Sequence, residues 1–316
     1  MANCHDLFQE FHRDINILPT KKKKMRKSKN AVRDKIRDYF KKEHPDYKPL
    51  FFIQGSYKSK NGIRYKDDTA DLDDGVYFER EPDVTGATLQ SWVYKAIEGH
   101  TTGGQQHKKK CIRVIYANDY NIDLPVLYKT EDMDHPKLAV KGEDWQDDDP
   151  KEFTEWFNNA KDEDGQLIKQ TMFMKAWGDH KRHSMPSGLC MTILAEKNWQ
   201  ANDRDDVCLR DLLIELESEL SVNWACYMPT HPKDDLFLKY DDTFKRNYLE
   251  ALKGFVADAK EAVNTDNKTK ASNLWRKHLG GRFPEYEDKS QGKSSSSASR
   301  AALFGVASQS KPYLSE

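Results

Sequence analysis

Two aspartates, Asp71 and Asp73, stand two positions apart at the head of an otherwise apolar strand pattern running from Leu72 to Phe78. Side chains on a strand alternate with period two, so the two carboxylates share one face while Asp74 shares the other with Leu72 and Val76. A same-face pair of this kind can hold Mg²⁺, which takes carboxylate, water and phosphate oxygens. Upstream, Phe51-Phe52-Ile53 reads as a short buried strand that ends in Gln54-Gly55-Ser56-Tyr57. A Gly-Ser turn after a strand presents backbone N–H groups to a phosphate, and the hydroxyl adds a donor. Downstream, Ile122-Asp123-Leu124-Pro125-Val126 sets one carboxylate among apolar neighbours. Burying it is costly unless it meets a metal or a partner. Each piece alone has an ordinary reading: a solvated charge pair, a turn, a strand-edge aspartate in water. The three together point to a site for metal and phosphate.

The surrounding pattern predicts an α+β first half. Leu7, Phe8, Phe11 and Ile15 recur at helical spacing, and a second helix carries Val32, Ile36, Tyr39 and Phe40 until Pro45 and Pro49 stop it. Thr88 to Ile97 reads as helix. Ile112–Tyr116 and Ile122–Tyr128 read as a strand pair turned at Asn118-Asp119. Strands alternating with helices, some joined by hairpins, imply a mixed sheet. After Asp147-Asp148-Asp149-Pro150 the pattern is helical, with segments beginning at Phe153 and spanning Leu167–Trp177, Pro186–Trp199, Leu209–Leu220, Phe244–Val263 and Ala271–Leu279. Pro186 is expected in the first turn of its helix. The expected division is a first lobe over 1–150, a helical lobe over 151–287 and a flexible Ser-rich tail over 288–316.

Composition excludes several classes. Lys and Arg number 51 against 52 Asp and Glu, a net charge of −1, which disfavours a protein built to coat nucleic acid. No apolar run reaches the about 18 residues that cross a bilayer, and the N-terminus lacks a secretory pattern. Five scattered cysteines without a C-x-x-C pair indicate neither a disulfide framework nor a zinc ribbon. A soluble cytoplasmic protein is the expectation. The basic run Lys21–Lys29 reads as a solvated helix entrance rather than a nucleic-acid contact. His180, His183 and Cys190 suggest zinc but lack a fourth ligand. Tyr57 and Tyr240 are placed in a cleft or core in preference to stacking on bases, and Trp177, Trp199 and Trp275 in the core.

The Gly-Ser turn, the D-x-D run and the later carboxylate resemble the polymerase-β-like nucleotidyltransferases. The wording Asn121-Ile122-Asp123-Leu124-Pro125 is most similar to the bacterial cGAS/DncV-like synthases within them. Met174-Lys175-Ala176-Trp177 followed by Pro186-Ser187-Gly188 resembles that family's Lys-bearing helix and following serine, and Trp275 to Pro284 its usual ending. The resemblance implies a nucleotidyltransferase lobe and a helical lobe with the active site in the cleft between them. It also implies a reaction that joins nucleoside triphosphates, ATP and GTP, into a cyclic oligonucleotide, cyclic GMP-AMP or another purine cyclic dinucleotide, that activates an antiphage effector. Carried over, Gly55 and Ser56 hold the donor triphosphate. Asp71, Asp73 and Asp123 hold two Mg²⁺ ions, with Mn²⁺ as a substitute. Lys175 and Ser187 meet the phosphates from the helical lobe. The bland alternative for Lys175 is an exposed helical lysine. Some relatives are joined at their C-terminus by a ubiquitin-like conjugating partner, which draws attention to Tyr313–Glu316. Linear-oligonucleotide synthesis, RNA tailing and a silent nucleotide-binding module remain the alternatives.

Overall fold

Strands form where β-branched and aromatic residues cluster, and helices where apolar residues recur every three to four positions. In the computed structural model, residues 1–117 and 119–287 are described. Asn118 of the expected turn and the whole expected tail, 288–316, lie outside them. In chain order the first half runs α1 (His5–Ile15), α2 (Pro19–Glu43), β1 (Leu50–Gln54), α3 (Gly55–Lys58), β2 (Asp71–Phe78), α4 (Gly86–Ala96), β3 (Gln105–His107), β4 (Ile112–Tyr116), β5 (Tyr120–Leu124), β6 (Val126–Tyr128), β7 (Lys137–Val140) and β8 (Asp144–Asp147). The second half is α5 (Pro150–Ala160), α6 (Gln166–Lys181), α7 (Gly188–Asn198), α8 (Asp205–Val222), α9 (Asp242–Asn264) and α10 (Lys268–Leu279). The α+β class and the mixed sheet are as the sequence indicates.

Strand β2 is the axis of the sheet. It pairs antiparallel with β1 and parallel with β5 and then β6, in one unbroken register from Asp71↔Asn121 to Phe78↔Tyr128. Pro125 separates β5 from β6 because it has no N–H to give, yet its carbonyl still accepts from Val76 N at 2.8 Å. The break lets the line change outer partners. β5 pairs antiparallel with β4, as the expected hairpin requires, and β6 pairs with β7 and through it β8. Strands β3, β7 and β8 escaped the sequence reading; three or four residues are too few to show a period.

Two cores result. Leu72, Val76, Ile122 and Leu124 on one face of the sheet pack against Val32, Ile36 and Phe40 of α2 and Leu89 and Val93 of α4. The other core lies among α6 to α10, around the buried rings of Trp177, Tyr248, Phe255 and Trp275. Helix α1 belongs to this second core, not to the lobe over 1–150 in which the sequence reading placed it. The Phe8 ring meets Phe173 at 5.1 Å, Trp275 at 5.0 Å and Phe283 at 4.9 Å, all edge-on. Each such ring buried contributes roughly 1.5–3 kcal/mol, so the first turns of the chain clamp the helical lobe shut.

Two local expectations are corrected. Helix α2 starts at Pro19, so the basic run lies inside it, and Lys21 and Lys29 are buried rather than solvated. Lys21 Nζ donates to Asp119 O at 2.9 Å and pairs with its carboxylate. Pro186 lies one residue before the N-cap Ser187 instead of in the first turn of α7. His180, His183 and Cys190 do not converge: the His180 ring lies against Gly280, while Cys190 Sγ accepts from Ser187 Oγ at 3.2 Å. Tyr57 and Tyr240 are half-buried against the two cores, and Trp177 and Trp275 are buried. All five cysteines are free thiols, and among the described residues no helix is long and apolar enough to cross a membrane.

Candidate active site

The two faces of β2 do different work. Its Leu72–Asp74–Val76 face lies on α2, and there Arg33 grips the fully buried Asp74 with Nε at 2.7 Å and with Nη2. The Asp71–Asp73 face lines a cleft of about 900 Å³ between the lobes, near the upper end of the roughly 300–1,000 Å³ usual for ligand pockets. Parallel register sets Asp123 of β5 directly beside Asp73. Asp73 is enclosed on the cleft floor, and its carboxyl is pushed up to about 7, first by burial and then by the neighbouring Asp123 and Asp71. Three carboxylates gathered this closely call for positive charge.

Part of that charge is built in. Arg113 of β4, opposite Asp123 in the antiparallel ladder, donates Nε to Oδ1 and Nη2 to Oδ2, both at 2.7 Å. The same Nη2 lies 3.6 Å from Asp71 Oδ1, which also accepts from Asn121 Nδ2 at 3.0 Å. Asp71, Asp73 and Arg113 line the cleft, while Asp123 is buried behind them and held by Arg113. Neither Arg113 nor Asn121 was singled out from the sequence.

Strand β1 ends against Asp73, where Gln54 is its register partner. Gly55 then turns with φ +61°, and a Cβ there would fall 2.3 Å from Asp73 Oδ2. Only glycine allows both this conformation and this approach. Gly55→Ala is therefore expected to displace the Asp73 carboxylate and cut turnover by about 10²-fold, with a smaller loss of thermal stability. Wild-type turnover in Gly55→Ala would show that the turn and Asp73 are not coupled. Ser56 follows Gly55 on the cleft wall, its carbonyl accepting from the N–H groups of Asn61 and Gly62, both at 3.1 Å.

The helical lobe faces this floor with Lys175 of α6. Its Nζ donates to the Asn61 carbonyl at 3.1 Å, so the lysine bridges the lobes rather than standing free on its helix. Enclosure by the cleft walls brings its ammonium down to about 7, opposed by the charge of Asp73. Gly188 at the start of α7 lies against the Lys175 stem, where a Cβ would sit 3.6 Å from Cε. Ser187 is not brought to the cleft. Its hydroxyl accepts from Cys190 N at 3.3 Å and caps α7.

Residues 49–127, from β1 to the middle of β6, match the family model described as "Cyclic GMP-AMP synthase DncV-like, nucleotidyltransferase domain". Residues 49–127 thus carry a DncV-like nucleotidyltransferase domain. The match covers Gly55, Ser56, Asp71, Asp73, Arg113 and Asp123. The cyclic GMP-AMP synthase of Escherichia albertii is 26% identical over 304 residues, 88% of this chain and 67% of that protein. Vibrio cholerae DncV, a cyclic AMP-GMP synthase described as a prokaryotic cGAS homolog, has the same fold, with a TM-score of 0.77 at 18% identity over 90% of this chain and 98% of its own. Its complex with the linear intermediate 5′ pppA(3′,5′)pG gives a TM-score of 0.77 at 19% identity over 90% and 97%. The structural match thus extends the likeness beyond the matched domain into the helical lobe that supplies Lys175.

Proposed function

We propose that this DncV-like nucleotidyltransferase joins ATP and GTP into a purine cyclic dinucleotide with release of pyrophosphate, in a Mg²⁺-dependent reaction. The observation that carries the reading is the alignment of Asp73 with Asp123 beneath the Gly55 turn, with Lys175 facing them across the cleft. The all-oxygen donor set of Asp71, Asp73 and Asp123 fits a hard divalent cation, Mg²⁺ with Mn²⁺ as substitute. The raised affinity of Asp73 for a proton marks a carboxylate in need of one. When bound, Mg²⁺ neutralises triphosphate charge and acidifies the attacking hydroxyl.

The chain's own groups position and neutralise. Gly55 brings backbone against the triphosphate and Ser56 adds a hydroxyl donor. Lys175 meets the departing phosphates as a point charge, held over them by the Asn61 carbonyl. Arg113 fixes the direction of both Asp123 oxygens, and Asn121 that of Asp71. Ser187 serves through its cap, which places Gly188 beside the Lys175 stem. Lys175→Ala is expected to lower kcat/KM by about 10–100-fold, the loss of one charge-assisted phosphate contact. Ser187→Ala is expected to cost about 1 kcal/mol of stability and leave kcat/KM within a few-fold. Steady-state kinetics with thermal melts checks both; the reverse pattern would make Ser187 the phosphate ligand.

A purine product would act on a downstream effector in an antiphage response in the cytoplasm. Tyr313–Glu316 would be the place for a ubiquitin-like conjugating partner. A linear product or RNA tailing is the second reading within the class. A net charge of −1 gives tailing little electrostatic support. Three retained carboxylates weigh against a silent module.

A further inference from the structure

A second group of metal-binding side chains lies where the lobes meet, outside the catalytic carboxylates. His135 stands on the β6–β7 connection, while Asp149 and Glu152 come from the cap and first turn of α5. One donor atom of each lies within 4.8 Å of the other two. His135 Nδ1 is 3.1 Å from Asp149 Oδ2 and 3.6 Å from Glu152 Oε2. Two carboxylate oxygens thus converge on a single ring nitrogen that has at most one proton to give. The nearer oxygen takes it, and the Glu152 oxygen is left beyond hydrogen-bond range. A divalent cation would draw all three donor atoms to one centre. Tetrahedral zinc with bonds of about 2.0–2.2 Å sets its ligand atoms roughly 3.3–3.6 Å apart, the range these contacts straddle.

The surroundings hold the ligands in place. Asp149 uses its other oxygen, Oδ1, to cap α5 through Glu152 N at 3.0 Å, which leaves Oδ2 directed at His135. His231, from the segment after α8, stacks on His135 with ring centroids 4.0 Å apart and planes 3° apart. Its backbone N–H donates to Glu152 Oε2 at 3.1 Å. Parallel rings cannot both contain one ion in plane, so His231 orients the ligands rather than joining them. Its own Nε2 is buried without a hydrogen-bond partner, 3.7 Å from Asp147 Oδ2.

We propose that His135, Asp149 and Glu152 form a binding site for Zn²⁺ or a similar first-row cation, completed by water and supported by His231. An imidazole with two carboxylates favours such ions over Mg²⁺, so the site does not compete with the catalytic one. Asp148 and Pro150, on either side of Asp149, line the catalytic cleft. Filling the site would therefore stiffen the cleft wall at the lobe junction.

The test uses the full chain, stripped with chelator and titrated calorimetrically with ZnCl₂ alone, without nucleotide. One ion per chain is expected, together with a rise in melting temperature. His135→Gln and Glu152→Gln should each weaken binding about tenfold or more and remove the thermal gain, while keeping the wild-type circular dichroism spectrum and Mg²⁺-supported synthesis without zinc. Asp73→Asn should bind zinc as the wild type does. No binding, binding unchanged in both glutamine variants, or binding lost in Asp73→Asn would each overturn the proposal; the last would assign the ion to the catalytic carboxylates. Failure here leaves the synthase reading intact, because none of its residues belongs to that site.

Discussion

Asp73→Asn is expected to abolish synthesis, by about 10³-fold or more, and to leave the protein folded. The carboxylate is the one wedged between Gly55, Asp71 and Asp123 on the cleft floor, and asparagine keeps its shape while removing the charge a cation needs. Losing a group that stabilises transition-state charge costs several kcal/mol, which is about three decades in rate. Stability moves the other way. Asp73 is enclosed among like charges, so the neutral variant melts no lower than the wild type in EDTA at pH 8. Turnover with saturating Mg²⁺, read beside a thermal melt, decides it. A folded Asp73→Asn with more than a tenth of wild-type turnover contradicts the assignment.

The next residue behaves in the opposite sense. Asp74→Asn is expected to destabilise the fold and spare the chemistry. Asp74 is fully buried and gripped by Arg33 through two hydrogen bonds, and Arg33 and Arg37 both lie over the Phe51 ring, at 5.3 and 4.9 Å. Removing the buried charge strands a half-buried guanidinium, at a cost of up to about 3–5 kcal/mol when such a pair is fully buried and broken outright. Asparagine retains one acceptor and belongs at the low end of that range. The denaturant midpoint falls accordingly, while turnover measured well below the melting point stays within a few-fold of wild type. An Asp74→Asn variant as stable as wild type but inactive would put the β2 register the wrong way round.

These neighbours show what the sequence could and could not convey. Period-two alternation is enough to separate Asp73 from Asp74, because a strand allows only two faces. It says nothing of partners. Arg33 sits amid many basic residues of α2, and only packing α2 on the sheet selects it for Asp74. Arg113 carried a usable signal: it and Asp123 are equidistant from residue 118, so the expected hairpin turn already set them opposite each other. The same register placed Asn121 only through the parallel pairing of β5 with β2, which no local pattern announces. Helix α1 was legible as an amphipathic helix, but its apolar stripe fits either core. The rings of Phe173, Trp275 and Phe283 decide the matter, and they lie more than 150 residues away. Ser187 shows the converse. Serine before a helix is first of all a cap, and the hydroxyl the family resemblance assigned to phosphate is committed to Cys190 N.

The most direct test of the synthase reading is the product itself. Purified full-length protein is incubated with ATP, GTP and Mg²⁺, the mixture is treated with phosphatase, and the survivors are identified by mass spectrometry. The account predicts a phosphatase-resistant cyclic purine dinucleotide, released with pyrophosphate and missing from the Asp73→Asn reaction. Only phosphatase-sensitive linear products, or none at all with wild-type protein, would contradict it.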